Sequence, residues 1–309
     1  MDPVIQCEGL TMQFPNVRAV DGLSLSVQPG EVFGLVGPDG AGKTTTIRML
    51  CGIMQPTSGS IKVLGAQIPA EVDRVVSDIG YMSQRFSLYG DLTVAENIEF
   101  FADLYQVPQR ERSERTARLL RASRIEAFTK RLAQNLSGGM KQKLALVCTL
   151  IHTPKVLFLD EPTTGVDPVS RREFWQILYS LVADGMTLVV STPYMDEADR
   201  CQRLALVDNG RLIRCATPQQ LREGMSQTVV DVRCSDPQAA RTVLAKAPGV
   251  LSVEAFGERI HVTVPTAQAV DGIKATLEGA GVGVEDLRVV APSLEDAFIA
   301  SLEEGAAHA

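Results

Sequence analysis

Leu23, Leu25 and Val27 alternate with Ser24, Ser26 and Gln28, the period-two pattern of a half-buried strand. The next run, Val32–Val36, is apolar almost throughout and leads into a glycine-rich turn. From 92 to 136 the period lengthens. Thr93 and Glu96 have capping-box spacing, and Val94, Ile98, Phe101 and Leu104 follow at helical intervals. Between 110 and 131 the basic residues Arg110, Arg112, Arg115, Arg118, Arg121, Arg124, Lys130 and Arg131 surround Leu119 and Leu120, which predicts a solvated helix face. Met140, Leu144, Val147 and Ile151 predict another helix, followed by a strand at 156–159, a helix at 170–183 and a strand at 187–190. Strands alternating with helices imply a mostly parallel sheet, hence an α/β fold.

Asn209-Gly210 between 204–208 and 211–215 predicts a hairpin, because this dipeptide adopts the positive φ of a two-residue turn. A linker follows at 224–227. Beyond it lie a strand at 229–234, a helix at 237–246, strands at 250–255 and 259–264, a helix at 267–280 and a strand at 282–290. This βαββαβ order predicts a small α+β, ferredoxin-like domain, with a terminal helix at 293–303. The expected organisation is therefore a domain at 1–224, a second at 228–290, and a C-terminal helix and tail at 291–309.

Length agrees, since 309 residues suit two domains of ordinary size. Hydrophobic residues at 45% and charged residues at 22% exclude disordered and fibrous classes. The net charge of −7 argues against a nucleic-acid partner. Six cysteines without a CxxC pair point to reduced thiols rather than a disulfide or zinc framework. The N-terminus has neither the basic nor the apolar region of a secretory signal. The apolar stretch 144–151 is far shorter than the roughly 20 residues a bilayer span requires.

Candidate chemistry begins at Gly37-Pro38-Asp39-Gly40-Ala41-Gly42-Lys43-Thr44, with Thr45 next, between an apolar strand and a helix. Glycines there let backbone N–H groups face phosphate oxygens, and the helix N-terminus adds its positive dipole end. Lys43 is expected to contact the β and γ phosphates, and Thr44 to place its hydroxyl on Mg²⁺. The strand at 156–159 ends in Asp160 and Glu161. Carboxyl ends of parallel strands face the ligand crevice, so Asp160 is expected to hold Mg²⁺ through water and Glu161 to polarise the attacking water. Ser137 is placed to cap a helix starting at Gly138-Gly139, with Lys141 and Gln142 following. Its hydroxyl and two glycine amides would form a second anion cradle.

With these motifs the chain resembles the nucleotide-binding subunit of an ATP-binding cassette (ABC) transporter over about residues 4–223. GPDGAGKT at 37–44 looks like the Walker A motif, Gln84 in YMSQRFSLYGDLTVAEN like the Q-loop, LSGGMKQ at 136–142 like the signature, LFLDE at 157–161 like Walker B, and GVDP at 165–168 like the D-loop. GVDPVSRREFW, MDEAD and PSLEDAF are similar to ABC-2 type exporters for drugs or lipids. The resemblance implies a P-loop NTPase cassette with a mixed sheet and a helical subdomain at about 91–150, acting as a Mg²⁺-dependent ATPase. It also implies Phe14 stacking on adenine, Gln84 at Mg²⁺ or water, and Asp167 at the nucleotide.

Further implied are an integral membrane permease subunit on a separate polypeptide, a second cassette as homodimer or heterodimer, and peripheral attachment at the cytoplasmic face of the membrane. The apolar Phe86, Leu88 and Tyr89 after Gln84 are expected either to form a docking groove for the permease or to pack in the core. Two positions depart from the family pattern: Asp39 stands where Asn is common, and Pro193 stands where the switch histidine is expected. Proline offers no side-chain donor and no N–H. A slow site in a heterodimer is the favoured expectation; an ordinary homodimer, a weakly active regulatory cassette, and a soluble ABC ATPase acting on ribosome or DNA are the alternatives.

Overall fold

In the computed structural model, which describes residues 2–85 and 88–307, the chain forms two units, Met1–Cys215 and Ala216–Ala309. The first runs β1 (Ile5–Phe14), β2 (Val17–Val27), β3 (Val32–Val36), α1 (Lys43–Leu50), β4 (Ser58–Val63), β5 (Ala66–Ile68), β6 (Ile79–Met82), α2 (Val94–Leu104), α3 (Gln109–Ser123), α4 (Gly138–Leu150), β7 (Val156–Asp160), α5 (Pro168–Ala183), β8 (Thr187–Thr192), α6 (Met195–Ala198), β9 (Arg203–Asp208) and β10 (Arg211–Ala216).

Two sheets share this unit. One is antiparallel, in the order β2-β1-β4-β5. The other has the order β10-β9-β3-β8-β7-β6, with β9, β3, β8, β7 and β6 parallel. Ile47, Met49 and Leu50 of α1 join Ile5, Leu10 and Val27 of the first sheet and Phe33, Phe158 and Val189 of the second in one core. Each large apolar side chain buried there contributes about 1.5–3 kcal/mol. Both faces of β3, β7 and β8 are covered, which explains their unbroken apolar runs. By contrast β2 alternates, as a strand with one wet face must. Asn209 and Gly210, at φ 47° and 78°, join β9 to β10 as expected.

The helical region contains α2, α3 and α4. Thr93 and Glu96 form both bonds of a capping box at the start of α2. Val94, Ile98 and Phe101 are buried, but Leu104 is 60% exposed. It occupies the last position of α2, and Ala102 supplies the buried contact instead. On α3, Arg110, Arg118 and Arg121 are exposed as expected of a solvated face, whereas Arg112 and Arg115 are partly buried in pairs with Glu99 and Asp103 and with Glu111; Leu119, Leu120 and Ser123 are buried.

The second unit runs α7 (Pro218–Glu223), β11 (Thr228–Cys234), α8 (Pro237–Leu244), β12 (Ser252–Phe256), β13 (Arg259–Val264), α9 (Val270–Gly279), β14 (Val284–Val290) and α10 (Leu294–Ala307). Its sheet is antiparallel in the order β12-β13-β11-β14, giving the βαββαβ arrangement. Val230, Val232, Ile260 and Val262 meet Leu244, Ile273 and Leu277 in its core. The expected boundary at 224 moves to 215/216. The cause is α7, whose Leu221 is buried and which packs on α10 inside this unit. Residues 267–269 form a 3₁₀ turn before α9, shortening the helix expected there. The tail residues 308–309 lie outside the described residues.

Candidate functional site

Strand register assembles the site. Val36 is paired with Thr192, and Asp160 with Ser191, so the carboxyl ends of β3, β8 and β7 lie side by side. The loop 37–42 leaves β3 and enters α1. Gly40 and Gly42 have φ of 83° and 96°, which side chains rarely tolerate. A Cβ at Gly37 or Gly42 would strike the carbonyl oxygens of Val207 or Ala19.

Lys43 is 4% exposed. Its Nζ donates to the carbonyls of Gly37 at 2.8 Å and Pro38 at 2.9 Å, and lies 3.2 Å from Glu161 Oε1. Gln84 Nε2 donates to Glu161 Oε2 at 2.8 Å, as does Thr164 Oγ1 at 3.3 Å. The backbone N–H of Glu161 donates to Ser191 Oγ at 3.0 Å. Glu161 holds φ at 48°, a left-handed conformation costing roughly 1–2 kcal/mol in a residue with a Cβ. Asp160 Oδ1 accepts from Thr44 Oγ1 at 3.0 Å and from Ser191 Oγ at 2.7 Å. Its second oxygen, Oδ2, is buried without a hydrogen-bond partner. Above these groups opens a cavity of about 380 Å³, lined by Asp39, Gly40, Gly42, Lys43, Thr44 and Thr45 on one side and by Gln84, Glu161, Thr164, Pro193 and Tyr194 on the other. Ala41 is buried beneath the loop, its N–H bonded to Pro38 O.

The remaining expected residues lie elsewhere. Ser137 caps α4, accepting from Met140 N at 3.3 Å. A Cβ on Gly139 would approach the Ser170 side chain to 2.5 Å, whereas at Gly138 the nearest atom is 3.9 Å away. Close helix packing therefore accounts for Gly139, and open space remains at Gly138. Gly138, Lys141 and Gln142 share a groove of about 360 Å³ with Gln84, Arg85 and Leu88. Asp167 caps α5, accepting from Val169 N and Ser170 N at 3.1 and 2.9 Å. Bonds from Ser170 hold its carboxyl below the usual range. Phe14 is exposed at the end of β1 and does not line the cavity. Phe86 lies outside the described residues. Tyr89 is 44% exposed and packs edge-on against Phe100 at 4.6 Å. Ser191 and Thr164 escaped the sequence reading as groups bonded to the two carboxylates; the register of β8 against β7 is the signal that would have found Ser191.

A family model described as ABC transporter matches residues 20–164, and one described as ATP-binding protein DrrA1-3-like, C-terminal domain, matches 217–302. The probable multidrug ABC transporter ATP-binding protein YbhF of Escherichia coli is 44% identical over 72% of this chain. The chain spans 38% of that relative's length. Nod factor export ATP-binding protein I of Ralstonia nicotianae is 40% identical, covering 84% of this chain and 80% of its own length. The daunorubicin/doxorubicin resistance ATP-binding protein DrrA of Streptomyces peucetius is 38% identical, covering 83% and 77%. Among solved structures, the dimeric post-hydrolysis state of an ATP-binding cassette bound to ADP and Pi superposes with TM-score 0.63 at 26% identity, covering 69% of this chain and 98% of the other.

Proposed function

Because the chain belongs to the ATP-binding proteins of ABC transporters, we propose that it binds Mg²⁺-ATP in the cavity above 37–45 and hydrolyses it to power an export pump. The observation that carries this reading is the convergence of Lys43, Thr44, Asp160, Glu161 and Gln84 at the carboxyl ends of β3, β7 and β6 in one sheet. Lys43 Nζ would exchange its carbonyl partners for β and γ phosphate oxygens, while the N–H groups of the loop and of α1 receive the rest of the phosphate charge. Glu161 would accept a proton from the water that attacks the γ-phosphorus, with Gln84 holding that carboxylate in line.

The residues present fit Mg²⁺. Asp160 Oδ2 is a buried oxygen without a partner, and Thr44 Oγ1 lies beside the same carboxylate. Among the described residues no group of three or more His, Cys, Asp or Glu forms an all-protein metal cage, in keeping with a cation held by one or two protein groups and substrate oxygens. Thr44 and Asp160 would hold it, with Gln84 nearby, and it would neutralise charge on the phosphates.

Attachment at the cytoplasmic face of the membrane would come through a separate permease. No helix among the described residues is long and apolar enough to cross a bilayer. The groove beside Gln84, Leu88 and Gln142 together with exposed Tyr89 and Phe100 offers apolar surface for a permease helix. The multidrug, Nod factor and daunorubicin relatives support export as the direction. A second cassette would complete the nucleotide site, and Pro193 favours a heterodimer in which this chain's own site is slow. Removing the Lys43 charge tests the core of the reading: Lys43→Ala should abolish tight Mg²⁺-ATP binding in calorimetry while the chain stays folded, and unchanged affinity would sink the assignment.

A further inference from the structure

Glu197, on the short helix α6, is only 1% exposed, and the chemistry proposed above does not use it. Its Oε1 accepts the hydroxyl of Thr163 and lies 3.5 Å from Arg171 Nε. Its Oε2 accepts Thr192 Oγ1 at 2.8 Å. Thr192 Oγ1 in turn accepts the backbone N–H of Tyr194 at 3.1 Å, and the Arg171 guanidinium lies 4.6 Å over the Tyr194 ring. A carboxylate this deeply buried is costly unless paired and hydrogen-bonded, and here both oxygens are engaged.

The partners lie at the two loops that leave the adjacent strands β7 and β8, and both loops line the nucleotide cavity. Thr163 stands two residues after Glu161, in the loop that also supplies Thr164. Thr192 ends β8 immediately before Pro193 and Tyr194. One carboxylate therefore joins the loop carrying the expected base to the loop where a γ-phosphate contact is expected. Proline at 193 provides no N–H with which that second loop could anchor itself, and the Thr192–Glu197 bond and the Tyr194 N–H hold it together with the backbone bonds that Thr192 O and Tyr194 O accept.

We propose that Glu197 is a positioning residue for hydrolysis, clamping the loop after β7 to the loop after β8 so that Glu161 and the 193–194 edge keep their spacing around the reacting phosphate. This rests on the ATPase reading above. A clamp acts on the transition-state geometry more than on ground-state binding, and a misplacement of about 1 Å costs on the order of 100-fold in rate.

The test uses the purified full chain, with Mg²⁺-ATP affinity from calorimetry and the rate of a single turnover under excess protein. Glu197→Gln should bind Mg²⁺-ATP within about threefold of wild type while its single-turnover rate falls about 10- to 100-fold. Thr163→Val and Thr192→Val, which keep shape and remove one hydroxyl each, should show the same split to a smaller degree. Adding Thr192→Val to Glu197→Gln should cost little more, because both remove the same link. A Glu197→Gln rate within about twofold of wild type, or affinity and rate lost in proportion, would overturn the clamp. If Glu197→Gln does not fold, the two valine variants decide: normal rates in both overturn it. Wild-type chain that fails to bind Mg²⁺-ATP, or Lys43→Ala binding as well as wild type, would overturn the ATPase reading itself.

Discussion

Gly138 and Gly139 answer different constraints although they are neighbours. Both read in the sequence as parts of one anion cradle, yet Ser170 packs where a Cβ on Gly139 would go. Gly139→Ala should therefore destabilise by about 1–3 kcal/mol in urea unfolding, the usual cost of overpacking. Gly138→Ala should leave the unfolding midpoint nearly unchanged, and any loss of function there would report on a ligand. Only the tertiary contact between α4 and α5 separates the two roles, so residue spacing could not. Pro193 is the reverse case: its lack of a donor was legible in the sequence, and the structure places it on the cavity wall. Restoring a preorganised donor is worth on the order of 100- to 1000-fold where charge develops. Pro193→His should thus raise single-turnover rates with ATP affinity little changed, and an unaltered rate would show that the missing contact is not limiting.

Local signals carried the elements, and long-range pairing carried the site. The capping box of α2 was legible because its two partners lie three residues apart. Ser191 was not legible as a partner of Asp160, because their contact depends on how β8 registers with β7. Asn97 was equally hidden. This fully buried amide on α2 donates to Tyr89 O and Thr93 O, each at 3.0 Å, and accepts from Tyr89 N at 2.9 Å, tying the segment after Gln84 to the helix. Asn97→Ala would leave the Tyr89 N–H unpaired, while Tyr89 O and Thr93 O keep the backbone N–H groups of Leu92 and Asn97, so a loss of about 1–3 kcal/mol is expected, with faster hydrogen exchange at 88–92.

In the second unit, His261 Nδ1 on β13 lies 3.1 and 3.0 Å from the two Asp296 oxygens on α10. That bond raises the His261 pKa above its ordinary 6.5. Burial alone would raise Asp296, but the bonds from His261 and Ser293 bring it below its ordinary value. The histidine's contribution to stability is complete below 6.5 and is lost as pH rises through the elevated value. The aspartate's contribution is complete above 3.8 and lost as pH falls through the lowered one. His152, made harder to protonate by burial, should titrate on the other side of 6.5. An NMR titration should separate the two, with Asp296→Asn bringing His261 down; a His261 value at or below 6.5 would contradict the link.

At the scale of the molecule, charge and the placement of motifs bear on assembly. A net charge of −7 gives the chain no general attraction to an anionic bilayer, so membrane attachment would depend on protein contacts such as the groove beside Gln84. The phosphate cavity is lined from the ends of β3, β6, β7 and β8, and neither Ser137 nor Gly138 is part of that lining. One chain would thus present a phosphate loop and a signature that do not close on each other, and a second cassette would supply the missing half to each. ATP bound more tightly by the closed pair would join the cassettes, and hydrolysis would release them. Glu161→Gln keeps the shape but removes the base, so an ATP-dependent dimer, with itself or with a partner cassette, should accumulate on size exclusion. In an asymmetric pair, Ser137→Arg in this chain should leave its own ATP affinity intact and abolish turnover at the partner's site. Wild-type chain assayed alone should hydrolyse slowly. Rapid hydrolysis without any partner would reject the asymmetric arrangement while leaving the phosphate site itself in place.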